Sequence, residues 1–98
     1  MRGFMYILLC ANGQYYTGST KCLARRIRQH NNGRGANYTR KHGPVKLVYY
    51  EEYFRIEKAY YRERQIHNWS HDKKEALIRG DIAYLKAAAK KVFKKKRN

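Results

Sequence analysis

Carboxylates are scarce in this sequence: seven Asp and Glu stand against 23 Lys and Arg, a formal net charge of +16 across 98 residues. A chain so lopsided repels itself and is drawn to polyanions. Long apolar runs are missing too. None approaches the ~18–20 residues of a membrane helix. The apolar opening from Met1 to Cys10 is short and lacks the small-residue cleavage site of a signal peptide. Only two cysteines occur, Cys10 and Cys22. They have neither CxxC nor Cys/His spacing, which argues against a zinc finger and a disulfide scaffold. There is one proline, and repeats and linkers are absent, so the length allows one compact domain and little else. Nor is the composition that of a disordered tail, with 43% hydrophobic and 14% aromatic residues. These figures favour an intracellular domain, in cytoplasm or nucleoid, that meets nucleic acid. Residues 1–80 are expected to form its body, and residues 81–98 a basic C-terminal helix or tail of the same domain.

Residues 4–10 are aromatic and β-prone and read as a buried strand. Ala11-Asn12-Gly13 is turn chemistry, and 14–18 reads as the returning strand of a hairpin. A helix is expected over 20–31, with Thr20 as N-cap and Asn31-Asn32-Gly33 as its stop. Residues 32–44 read as a loop, long enough to suggest a function. A third strand over 45–53 and a second helix over 55–68 follow. Ser70 is a good N-cap for a third helix that ends at Gly80, with Asp72 in its first turn. A last basic helix is expected from 81 to about 95. The order β-β-α-β-α-α-α gives a mixed α/β (α+β) fold with an antiparallel sheet flanked by helices.

Polar residues interrupt both inward helix stripes. The first stripe holds Leu23, Arg26, Ile27 and His30, and the second Ile56, Ala59, Tyr60, Glu63 and Ile66. A carboxylate facing inward costs several kcal/mol unless it is paired or binds a metal. Glu63 is therefore either salt-bridged to an arginine or a metal ligand. Arg26 and His30 are either site residues or the sign of a slightly rotated stripe. No DxD or ExK pattern exists, which argues against a two-metal site and leaves Glu63 as the placed candidate. Of ten tyrosines, Tyr49, Tyr50, Tyr53, Tyr60 and Tyr61 read mainly as core and interface filling. Tyr6 and Tyr16 differ because Gly18 follows closely, and a glycine in a strand marks close approach. A two-residue Asn12-Gly13 turn would put them on opposite sheet faces. A three-residue Ala11-Asn12-Gly13 loop would pair Tyr6 with Gly18 and put both on one face. Periodicity leaves both open. Arg34, Arg40, Lys41 and Lys46, with Tyr38 among them, read as a backbone-gripping surface that stacks a base on Tyr38, or else as a solvated loop. The stretch from Lys86 to Arg97 tracks phosphates, or is a localisation signal, or a frayed end.

Taken in order, Phe4-Met5-Tyr6, Tyr16-Thr17-Gly18, Arg26, His30 and Glu63 resemble the GIY-YIG nuclease family, most closely its small stand-alone members. The resemblance covers about residues 4–80. It runs through Gly35-Ala36-Asn37-Tyr38-Thr39-Arg40 and Gly43-Pro44-Val45-Lys46-Leu47-Val48-Tyr49-Tyr50-Glu51 to Arg62-Glu63. These members are similar to the nuclease subunit of structure-selective flap and junction endonucleases. The departures are Phe-Met-Tyr for Gly-Ile-Tyr and Tyr-Thr-Gly for Tyr-Ile-Gly. The resemblance implies a three-stranded antiparallel sheet, the three-residue hairpin loop, and one Mg²⁺ or Mn²⁺ on Glu63. It also implies metal-dependent cleavage of DNA, with RNA as the other polyanion. Arg26 would neutralise the transition state, Tyr6 would be the general base with His30 as rival or relay, and Tyr16 would orient water or phosphate. Positive surroundings would favour the Tyr6 phenolate. A partner protein would supply specificity. A non-catalytic nucleic-acid-binding module is the alternative.

Overall fold

An unbroken apolar run has no solvent face to offer, so it belongs at the centre of a sheet. In the structure, a computed structural model that describes residues 1–87, that is where the first strand sits. Strand β1 (Gly3–Cys10) lies between β2 (Tyr15–Thr20) and β3 (Val45–Tyr53), antiparallel to both. Met5, Tyr6, Ile7 and Leu8 are each at most 1% exposed. The hairpin uses the three-residue loop. Gly13, at φ 83°, donates its N–H to the Cys10 carbonyl, and the Cys10 N–H is answered by Gln14. Tyr6 thereby faces Gly18, and Leu8 faces Tyr16.

Alternation along β1 sends its side chains to two faces. On one, Tyr6, Leu8, Cys10 and Val45 form a core with Leu23 and Ile27 of helix α1 (Leu23–Asn31). On the other lies helix α3 (Ile56–His67), which packs across β1 and β2. Gly3 admits it, since a Cβ there would lie 2.6 Å from the Ile56 Cα.

Three local expectations change. The stretch 32–44 is not bare loop, because helix α2 (Asn37–His42) forms inside it. The glycines and Pro44 that suggested a loop flank this six-residue stretch without entering it. Thr20 is the last residue of β2, paired with Phe4, so α1 begins at Leu23 with Cys22 at its N-cap. Thr20 still serves that end, since its Oγ1 accepts from the Cys22 N–H at 3.2 Å. Tyr60, placed on the inward stripe, is 49% exposed, and the buried face of α3 runs through Ala59 and Ile66.

By contact density the chain divides into two units, Met1–Asn68 and Trp69–Asn98. In the second, Ser70 Oγ accepts from the Lys73 N–H and caps α4 (His71–Arg79), which Gly80 closes at φ 73°. Residues 82–87 are helical. The basic stretch lies, from residue 88 on, outside the described residues. No helix among them is long and apolar enough to cross a membrane.

One polar network ties α3 to β3. Arg62 grips Glu51 with Nε at 2.9 Å and Nη2 at 3.2 Å, while Tyr49 and Tyr53 donate their hydroxyls to the same carboxylate. Burial pushes the Glu51 carboxyl up, but the hydrogen bonds from Arg62, Tyr49 and Tyr53 outweigh it, and the net shift is downward. A carboxylate whose folded pKa is depressed stabilises the fold above its unfolded value near ~4, and this is lost as pH falls through the folded value. Glu51→Gln is expected to cost about 2 kcal/mol, below the ~3–5 of a fully buried pair, because these side chains keep 18% and 24% exposure. Thermal melts against pH will show a Tm roughly 10 °C lower at neutral pH and a flatter acid limb. An unchanged Tm would contradict this role.

Candidate active site

Tyr6 reaches from β1 over Gly18, where any larger residue would displace it: a Cβ at Gly18 would lie 2.6 Å from the Tyr6 Cζ. Its hydroxyl lies 2.9 Å from His30 Nε2. His30, on the inward stripe of α1, is 1% exposed. Its Nδ1 lies 2.6 Å from the hydroxyl of Thr39, which donates onward to the Ala36 carbonyl at 3.0 Å. The ring of Tyr16 packs edge-on against His30, with centroids 5.3 Å apart. Arg26, one α1 turn before His30, is half-buried and hydrogen-bonds Gln29 at 3.1 Å.

Glu63 comes from the other face. It is half-buried, and Ser19 Oγ donates to its Oε1 at 2.6 Å. Among the described residues it has no ion pair. The salt bridge that would have made Glu63 merely structural is made one position earlier, by Arg62. Adjacent β2 residues thus join the two faces, with Gly18 under Tyr6 and Ser19 holding Glu63.

The charges are felt across the group. Burial pushes the Tyr6 phenol up to about 12; Arg26 pulls it down, and Tyr16 and Glu63 add to the rise. Tyr16 is raised by burial and by Glu63. The expectation that positive surroundings favour the phenolate therefore fails for the protein alone, because desolvation outweighs Arg26. Burial and the Arg26 charge together lower His30 to about 4, so its imidazole is neutral at pH 7.

The residues read as a nucleic-acid grip divide in two. Arg34, Arg40, Lys41 and Lys46 are exposed, and Arg40 also bonds Asn37 at 3.0 Å. Tyr38 is less free than a stacking platform would be. Its ring stacks on Tyr16 at 6.4 Å, His42 lies 4.7 Å away, and Asn12 donates to its hydroxyl. Two clefts meet at Ser19, Thr20 and Lys21. One, of 400 Å³, runs to Arg25, Arg26 and Gln29, and the other, of 520 Å³, runs along Ile56, Tyr60, Tyr61 and Arg64. Sequence reasoning missed Ser19 and Thr39 as partners. Only strand register reveals the first, and only the turn of α2 the second.

No group of three or more His, Cys, Asp or Glu side chains gathers among the described residues. That excludes an all-protein metal cage there. A lone carboxylate with a free oxygen still suits Mg²⁺, which keeps most of its waters and takes one or two carboxylates plus substrate phosphate oxygens. The donor set fits one hydrated ion at Glu63.

The GIY-YIG catalytic domain matches residues 2–76. The chain belongs to the GIY-YIG family. A UPF0213 protein of Clostridium perfringens is 47% identical over 75 residues, 76% of this chain and 81% of that one. The solution structure of a UPF0213 protein from Bacillus halodurans is similar at TM-score 0.52 and 41% identity, over 80% of this chain and 83% of that one. The solution structure of the protein EF2693 from E. faecalis is similar at TM-score 0.56 and 29% identity, over 85% of this chain and 88% of that one. GIY-YIG nucleases generally use a divalent metal, and nucleic acid is the ligand the domain implies.

In this GIY-YIG domain the neutral histidine is directly measurable. An NMR titration of the His30 ring is expected to show no midpoint above about pH 5. A histidine whose folded pKa is lowered binds its proton later than in the unfolded chain. Stability therefore falls as pH drops from ~6.5 to ~4, then levels. A His30 midpoint near 6.5 would contradict the burial argument.

Proposed function

We propose that this domain is an endonuclease that hydrolyses phosphodiester bonds in DNA with one Mg²⁺ or Mn²⁺ ion, selecting its substrate by structure and backbone. The observation that carries the reading is the convergence of a buried Tyr6–His30 pair, the Arg26 guanidinium and the Glu63 carboxylate around one strand edge. A binding module has no use for an inward carboxylate that meets no ion-pair partner among the described residues.

A bound ion would polarise the phosphate and stabilise the leaving 3′ oxygen. The chain's own residues supply the rest. Glu63 holds the ion's side of the site, and Ser19 fixes the carboxylate rotamer through Oε1. Arg26 takes up the extra negative charge of the pentavalent transition state, being always charged and able to bind two phosphate oxygens. Tyr6 positions the attacking water and passes a proton along its 2.9 Å bond to His30 Nε2. The short contact supports the pair as the base over either residue alone, since a phenol near 12 needs an acceptor for its proton and His30 lies behind the phenol. Tyr16, its ring on His30 and its hydroxyl within range of the Glu63 charge, orients water or phosphate. Arg34, Arg40, Lys41 and Lys46 grip the backbone, which makes binding steeply salt-dependent. A partner protein would supply any sequence specificity.

The test is cleavage of labelled linear, flapped and branched DNA, with RNA alongside, under Mg²⁺, Mn²⁺ or EDTA. Glu63→Gln and Arg26→Ala are each expected to lower cleavage by at least about 10²–10³-fold while the melting curve stays intact. EDTA is expected to abolish it. Binding without cutting, the same in all three proteins, would move the assignment to a non-catalytic module.

A further inference from the structure

We infer that Thr39 is a positioning residue: it fixes His30 as the Nδ1–H tautomer, so that a bare Nε2 faces the Tyr6 hydroxyl. This deepens the proposed nuclease reading and rests on it for its catalytic meaning.

The assignment follows from counting protons. Thr39 Oγ1 has one, and it goes to the Ala36 carbonyl, which can only accept. The same oxygen meets His30 Nδ1 at 2.6 Å, so it meets it as an acceptor. Nδ1 therefore carries the hydrogen. A neutral imidazole has only one, so Nε2 is bare. In the 2.9 Å contact with Tyr6, the phenol is then the donor. When Tyr6 is deprotonated, its proton moves from Oη to Nε2, leaving a phenolate and an imidazolium. That imidazolium keeps its Nδ1–H on Thr39, so the anchor serves both states. With the opposite tautomer, Nε2–H would point at the phenol and no proton could be accepted there.

The surroundings support a built seat. Thr39 and His30 are 0% and 1% exposed. Gly35 is part of it, because a Cβ there would lie 2.8 Å from the His30 Cγ. The groups that face His30 are Tyr6 from β1, Tyr16 from β2, Arg26 from α1 and Thr39 from α2. Of these, only Thr39 accepts at Nδ1. The segment Gly35–Thr39, read from sequence as part of a phosphate-gripping loop, thus does a second job: it orients the ring.

The experiment reads the tautomer without substrate. Long-range ¹H–¹⁵N NMR of ¹⁵N-histidine-labelled full chain near pH 7 is recorded for wild type, Thr39→Ser and Thr39→Val. Expected are a protonated Nδ1 and a bare Nε2 in wild type and in Thr39→Ser, and loss of that pattern in Thr39→Val. Cleavage by Thr39→Val should fall about 10–100-fold, as when the partner that orients a functional histidine is removed, with DNA binding unchanged and Thr39→Ser near wild type. A wild-type spectrum with Nε2–H, or Thr39→Val keeping Nδ1–H, would overturn the inference. The wild-type spectrum decides even if the valine variant fails to fold. The expected tautomer with no cleavage by any protein would sink the nuclease reading and leave the assignment standing.

Discussion

The hydrogen bond between Tyr6 and His30 constrains the architecture more than any other contact. A phenol and an imidazole can be buried together only if every polar atom finds a partner. That requirement reaches outward. Gly18 must lack a side chain for the phenol to lie over β2, and Gly35 must lack one for the imidazole to fit. Thr39 must be carried in by a short helix to meet the far nitrogen. The hairpin must use a three-residue loop so that Tyr6 faces Gly18 at all. A one-residue slip would send Tyr6 to the α3 face.

The second organising feature is a charge arrangement held apart across a strand edge. Arg26 and Glu63 belong to helices on opposite faces of the sheet, and neither neutralises the other within an ion pair. Glu63 is steadied by the neutral hydroxyl of Ser19, and Arg26 by Gln29. Among the described residues neither meets an opposite charge in an ion pair. Left alone they oppose each other at Tyr6, where Glu63 raises and Arg26 lowers the phenol against the larger effect of burial. A cation at Glu63 and an anion at Arg26 would complete the pattern, and a metal-bound phosphodiester supplies both.

Much of this was legible in the residues. The apolar run 4–10 read as a buried strand, the i, i+3, i+4 stripes carried Arg26, His30 and Glu63, and Ser70 and Gly80 marked the limits of α4. What could not be read depended on partners distant in sequence. Helix α2 hid between glycines and a proline that punctuate its ends. Ser19 meets Glu63 across 44 positions, a contact that needs the β1–β2 register and the docking of α3 together. Tyr38 looked like a free ring, because nothing local says that Tyr16, His42 and Asn12 will claim it. Whether Glu63 is ion-paired or open to a ligand could not be read from the stripe, because the answer depends on Arg62 reaching Glu51 on β3 instead.

The central claim is that the Tyr6 hydroxyl, through its bond to His30, takes part in cutting a phosphodiester. Tyr6→Phe removes that one oxygen and keeps the ring that fills the core. Its single-turnover cleavage of a labelled DNA substrate with Mg²⁺, compared with wild type at equal folded fraction, is the most direct measurement. The account predicts a loss of about 10²–10⁴-fold, the usual contribution of general acid–base catalysis. Cleavage within a few-fold of wild type would contradict it.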